Sequence, residues 1–189
     1  MKFRAVTMTR YALATFMSLL GSASIATDKS ELVTALIKNG SHEYFNSRHR
    51  VEIDDCTMTL EHWMDRATMG PVLWTSNTFQ MQDVIFRKPA NQSTGDFLHI
   101  LPEKGSEDPE VAVVVFLMRS GTYSNQERSN ALGASPESKP SPRNDGTTHH
   151  VSKSKNFVLA LQGPGTGEKA RIFTAAFRAY VDNHCKFTS

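Results

Sequence analysis

The stretch closest to a nucleotide site is Gly163-Pro164-Gly165-Thr166-Gly167-Glu168-Lys169-Ala170, which follows an apolar run and opens a helical pattern. A phosphate-binding loop needs two glycines with four residues between them, then Lys, then Ser or Thr. Its amides wrap the phosphates, the Lys reaches them and the hydroxyl holds Mg²⁺. Here three residues separate Gly163 from Gly167, Glu168 precedes the Lys, and Ala170 has no metal-binding oxygen. Glu168 would also repel an anion at the helix start. The stretch therefore reads as a turn and helix start, with bare anion binding at the helix end as the alternative.

The other reactive residue types form incomplete sets. His42-Glu43 lacks the second His four residues after the first that a zinc-peptidase helix requires, since Asn46 stands there. Asp54-Asp55 would face opposite ways on a strand and could share neither proton nor metal, so turn chemistry is the expected role. His149-His150 offers two ligands where a metal site needs three or four. Gly133-Ala134-Ser135-Pro136 lacks the second Gly of a nucleophile elbow. His49, His62, His99 and His184 are scattered, and Asn91-Gln92-Ser93 matches a glycosylation acceptor. No cofactor or metal is expected from these patterns.

Compartment enters through the N-terminus and the cysteines. Lys2, Arg4 and Arg10 precede an apolar core at Tyr11–Leu20, and Ser24-Ile25-Ala26 presents small residues for a signal peptidase, so residues 1–26 read as a secretory signal peptide. The core is too short for the ~20 apolar residues a membrane-spanning helix requires, and no later run is long enough, so no stable span is expected after cleavage. The leader holds three of the chain's 21 basic residues and none of its 19 acidic ones. Without it the charge is near balance, and nothing argues for nucleic acid as partner. In an exported chain the two cysteines, Cys56 and Cys185, are expected to form one disulfide. A nucleophilic thiol is the competing reading, but His184 and Cys185 are helix neighbours pointing about 100° apart.

These residues need elements to hold them. A helix is expected over Thr27–Asn39, with Leu32, Val33, Ala35 and Leu36 as its apolar stripe and Asn39-Gly40 as its stop. Apolar residues fall at odd positions in Val51 and Ile53 but at even ones in Cys56, Met58 and Leu60, so a turn or bulge belongs at Asp54-Asp55. Further strands are expected across Val72–Phe86, Phe97–Leu101 and Val111–Met118, the last covered on both faces. Residues 119–155 are rich in Ser, Asn, Gly, Pro, Lys and Thr and are expected to form a flexible insertion. A strand at Phe157–Leu161 follows. A helix to Cys185 then buries Phe173, Phe177, Tyr180, Val181 and Cys185 on one stripe.

One exported domain over 27–189 results, with about 125 residues outside the insertion, a usual domain size. Its class is α+β: an antiparallel sheet or small partly closed barrel packed against a C-terminal helix, with a short N-terminal helix. From Glu43 to Cys185 the element order resembles the pleckstrin-homology-like arrangement, which implies a bent antiparallel barrel closed by its last helix and carries over no ligand residue.

The function expected is a non-enzymatic binding or interaction domain, periplasmic or secreted, whose partner could be another envelope or secreted protein. It would act through the edge and mouth of the sheet or through the insertion. The alternative is a carrier of a small apolar ligand, with Trp74, Phe79 and Phe116 lining a cavity between sheet and helix. A hydrolase whose residues converge only in the fold is the third reading.

Overall fold

The structure, a computed structural model, describes residues 28–66, 70–85, 98–101, 110–129, 139–142 and 148–185. The leader, Gly133–Pro136 and the glycosylation acceptor lie outside them.

Helix α1 (Lys29–Gly40) starts where Asp28 accepts a hydrogen bond from Ser30 N at 3.0 Å, the side-chain cap that an N-terminus rewards. It buries Leu32 and Leu36. Gly40 ends it against Val51 and Phe173, too close for a Cβ. Strand β1 (His42–Tyr44) then forms a hairpin with β2 (Ser47–Asp54), and β2 forms another with β3 (Thr57–Arg66) across the turn Asp55-Cys56. The parity flip at Asp54-Asp55 is thus a tight hairpin turn, with Asp55 in the left-handed region at φ 49°.

Strand β4 (Gly70–Gln80) leads through one 3₁₀ turn (Met81–Asp83) to β5 (Val84–Ile85) and β6 (Leu98–Leu101), then β7 (Val111–Met118). Next come β8 (Ser124–Ser129), β9 (Lys139–Pro142), β10 (Thr148–Ser154), β11 (Asn156–Gln162) and α2 (Thr166–His184). They make two antiparallel sheets: seven strands in the order β1-β2-β3-β4-β8-β10-β9, and a smaller one in which β7 lies between β11 on one side and β5 and β6 on the other. The architecture is α+β, with no closed barrel among the described residues.

Two expectations need correction. The stretch 119–155 was expected to be a flexible insertion, yet it supplies β8, β9 and β10 to the larger sheet. Its polar side chains do not exclude strands, because the ladder satisfies the backbone and Ser124, Ser129 and His149 are buried in place. Strand β7 was expected to be covered on both faces. It buries Ala112, Val114, Phe116 and Met118 on one face and leaves the other half-buried.

The core lies between the two sheets and the helices. Phe116 is its centre, with ring centroids 5.0 Å from Phe157, 5.8 Å from Phe79, 5.9 Å from Phe177 and 6.3 Å from Phe173. Cys56 and Cys185 are disulfide-bonded, tying the β2–β3 turn to the C-terminal end of α2. The same turn is held by Tyr180 Oη, which donates to Asp55 O at 2.8 Å, and by the Lys29–Asp55 ion pair at 2.7 Å. Each carries its neighbour's signature: the pair raises the Lys29 pKa and lowers that of Asp55. No helix among the described residues is long and apolar enough to cross a membrane.

Candidate functional site

Paired residues in neighbouring strands share a face, so register decides which side chains meet. In the seven-stranded sheet the face that buries Val51, Met58, Leu60 and Phe79 changes character toward the end away from the core. One row there runs across six strands. His42 is opposite His49, His49 opposite His62, His62 opposite Thr75, Thr75 opposite Arg128, and Arg128 opposite His150. All six are half-buried. The alternation places Glu43, Glu52, Glu61, Asp65 and Glu127 on the opposite register, so no carboxylate of these strands shares the row's face.

The row's geometry is most defined at its β1–β3 end. The His49 and His62 rings stack with centroids 4.4 Å apart. Burial, then the proximity of His62 and His42, lowers the His49 pKa to about 3. Burial also lowers that of His62. His42 is held by both nitrogens: Lys169 Nζ lies 3.2 Å from Nδ1 and the Gln162 carbonyl is bonded at Nε2. An ammonium only donates and a carbonyl only accepts, so Nδ1 is the acceptor and Nε2 carries the proton. Lys169, in the first turn of α2, is thus engaged with an imidazole.

Beside this end of the row an open groove of about 340 Å³ is lined by Ser41, His42, Glu43, Arg48, His49 and Arg50. It exists because β1 is only three residues long, which leaves β2 unaccompanied beyond His42. Arg48 pairs with Glu43 at 3.1 Å, and Arg50 pairs with Glu52 at 2.9 Å. Among the described residues neither ring nitrogen of His49 has a hydrogen-bond partner. The groove's lining thus holds two guanidinium groups, each paired with a carboxylate on the same side of β2, and the imidazole of His49 on the other side.

Three chemistries fail on this geometry. Ser47 Oγ is 3.0 Å from His62 Nε2, the first link of a nucleophile, but no carboxylate on that face can orient the imidazole from behind. No group of three or more His, Cys, Asp or Glu side chains converges to hold a metal among the described residues. The anion site at the start of α2 is filled by the protein itself: Glu110 Oε1 accepts from Gly167 N at 3.0 Å, where a phosphate would have to sit. His149, expected in a flexible stretch, is buried on β10 with Nδ1 3.4 Å from Glu127.

The aromatic candidates separate. Phe79 and Phe116 come together in the core, whereas Trp74 is half-buried and is not packed against that core. The residues of the groove went unseen in sequence because hairpin register, not spacing along the chain, unites them.

Fold and site together define an α+β domain of two antiparallel sheets, stapled by one disulfide and carrying an imidazole row that ends in a guanidinium-lined groove. Comparison with protein-family models, with curated proteins and with solved structures finds no match to this chain.

Proposed function

We propose that the protein is a non-enzymatic binding domain of an exported compartment, periplasmic or secreted, and that it binds its partner at the groove between Ser41 and Arg50. The observation that carries this reading is the groove's composition. Its lining holds two arginines, Arg48 and Arg50, two imidazoles, His42 and His49, and one carboxylate, Glu43. Export rests on the leader-like residues 1–26, and the Cys56–Cys185 disulfide fits an oxidising compartment.

The carrier reading has less support. The space between sheet and helix where Phe79 and Phe116 were expected to line a cavity is occupied by the rings of Phe157, Phe173 and Phe177. The Ser47–His62 contact alone does not raise the hydrolase reading above binding.

Native mass spectrometry of the protein recovered from its exported compartment tests the proposal. A retained species should accompany the wild type and be absent from the Arg48→Ala/Arg50→Ala variant. Retention by that variant, with loss on Phe116→Leu, would transfer the function to the interior and support the carrier.

A further inference from the structure

We propose that the inner face of the seven-stranded sheet holds a second site, in which Arg128, with Thr75 beside it, takes a single carboxylate group. The inference goes beyond the groove and does not depend on it.

Register fixes which side chains meet there. Arg128 of β8 is opposite Thr75 of β4 on one side and His150 of β10 on the other, and Thr75 is in turn opposite His62 of β3. Directly opposed residues share a face and keep their Cβ atoms about 5 Å apart. One step toward the core the same face carries Asn77 and Gln126, which are already joined, Gln126 Nε2 donating to Asn77 Oδ1 at 3.0 Å. Glu61, Glu127 and Lys153 alternate onto the other face. Arg128 is therefore the one formally charged side chain that β4, β8 and β10 present on this face.

Nothing in the chain uses Arg128. Arg48, Arg50 and Arg171 pair with carboxylates, and Arg119 donates to the Gln82 carbonyl. Among the described residues Arg128 has neither an acceptor nor a carboxylate partner, and the Thr75 hydroxyl has no hydrogen-bond partner, yet both side chains are half-buried. A cation that has lost part of its water without gaining a partner is unfavourable for the fold. It suits an external anion, because the donors stand ready and no internal group has to be displaced. The start of α2 shows the contrary arrangement, where Glu110 already occupies the anion's place.

Charge and shape select the anion. One guanidinium among neutral neighbours is matched by one negative charge, so a carboxylate leaves the face neutral where a sulfate or phosphate dianion leaves it negative. Two parallel N–H groups of the guanidinium meet the two carboxylate oxygens in one plane. Thr75, one strand away, donates its hydroxyl to one of those oxygens. The carboxylates of a small organic acid and of a peptide chain end share this chemistry.

Nuclear magnetic resonance of the intact mature protein reads occupancy at the Arg128 Nε–H and at the Thr75 amide. Hexanoate and N-acetyl-trialanine are the probes, each compared with its own amide at constant ionic strength in chloride, with sulfate as the tetrahedral control. Both carboxylates should shift the two resonances saturably, neither amide should, and sulfate should bind at least about tenfold more weakly than the better carboxylate. The tighter of the two probes tells an organic acid from a chain end. Arg128→Lys keeps the charge without the fork and should raise the Kd about tenfold or more, read at the Thr75 amide. Thr75→Val should raise it by less. Lys153→Ala, on the other face, should match wild type, and a circular dichroism spectrum shows that each variant folds.

Absence of a saturable shift with either carboxylate up to about 100 mM overturns the inference. So does a response to the amides, sulfate binding as tight as that of the carboxylates, or an unchanged Kd in Arg128→Lys.

Discussion

The imidazole of His49 lies against that of His62 with 4.4 Å between ring centroids and 11° between ring planes. Two strands set this contact, and its consequence is electrostatic: neither ring can gain a proton without facing the other. In the unfolded chain both would titrate near 6.5, whereas in the fold burial and the neighbouring imidazoles lower His49 to about 3.

The first prediction follows from the sign of that shift. Between the two pKa values the unfolded chain binds more protons than the folded one, so stability rises with pH there. His49 contributes fully above about pH 6.5 and its contribution is lost as pH falls toward 3. Thermal unfolding from neutral pH to about pH 4 should show a falling Tm, and the fall should be shallower in His49→Gln. Parallel profiles for the two proteins would remove His49 as a source of acid sensitivity.

Glu110 replaces an external anion at the start of α2. Its carboxylate accepts from Gly167 N at 3.0 Å, while its backbone carbonyl accepts from Gly163 N at 2.7 Å. Glu110→Ala should cost about 1–2 kcal/mol, from a lost helix-end acceptor and a lost favourable charge at the positive end of the dipole. Glu110→Gln keeps the acceptor and should lose less than half as much. Urea unfolding of the three proteins orders them; equal losses would mean the charge matters and the hydrogen bond does not.

Gly40 tests packing against propensity. Ala is favoured over Gly inside a helix by about 1 kcal/mol, yet an added Cβ at position 40 would stand 2.5 Å from Val51 Cγ2 and 2.7 Å from Phe173 Cε2. Both neighbours are core residues, so the clash should win and Gly40→Ala should destabilise by about 1–3 kcal/mol. Because Val51→Ala deletes one clashing methyl, the penalty should shrink in that background. A double-mutant cycle by chemical denaturation reads the coupling, and strict additivity would refute the contact.

What could be read beforehand was whatever rests on apolar periodicity. Val111–Met118 and Phe157–Leu161 declared themselves as strands, and the stripe through Phe173, Phe177 and Tyr180 declared a helix, because burial of an apolar face leaves a period in the sequence. β8 and β10 left no such trace. Their buried side chains are two serines and a histidine, and what places them is ladder pairing, β8 with β4 and β10 with β8. The imidazole row was hidden for a different reason. A two-residue turn at Asp55-Cys56 sets Asp54 against Thr57, and counting back along both strands then puts His49 against His62. The parity flip at Asp54-Asp55 located that turn approximately, but a one-residue error would have sent His49 and His62 to opposite faces.

The last prediction concerns the staple. Cys56 sits in the turn between β2 and β3, Cys185 caps α2, and the bridge between them spans 129 residues of sequence. Linking points so far apart restricts the unfolded chain strongly, by about 4–5 kcal/mol in the chain-entropy account. The turn has other anchors, since Tyr180 and Lys29 both hold Asp55, so the fold should survive reduction under mild conditions. Cys56→Ser/Cys185→Ser should therefore fold with an unchanged far-ultraviolet spectrum but unfold at lower denaturant by an amount of that order. Thiol labelling of the denatured, unreduced wild type should find no reactive cysteine. Two labelled thiols, or a double variant as stable as wild type, would show that packing of α2 against the turn suffices without the bond.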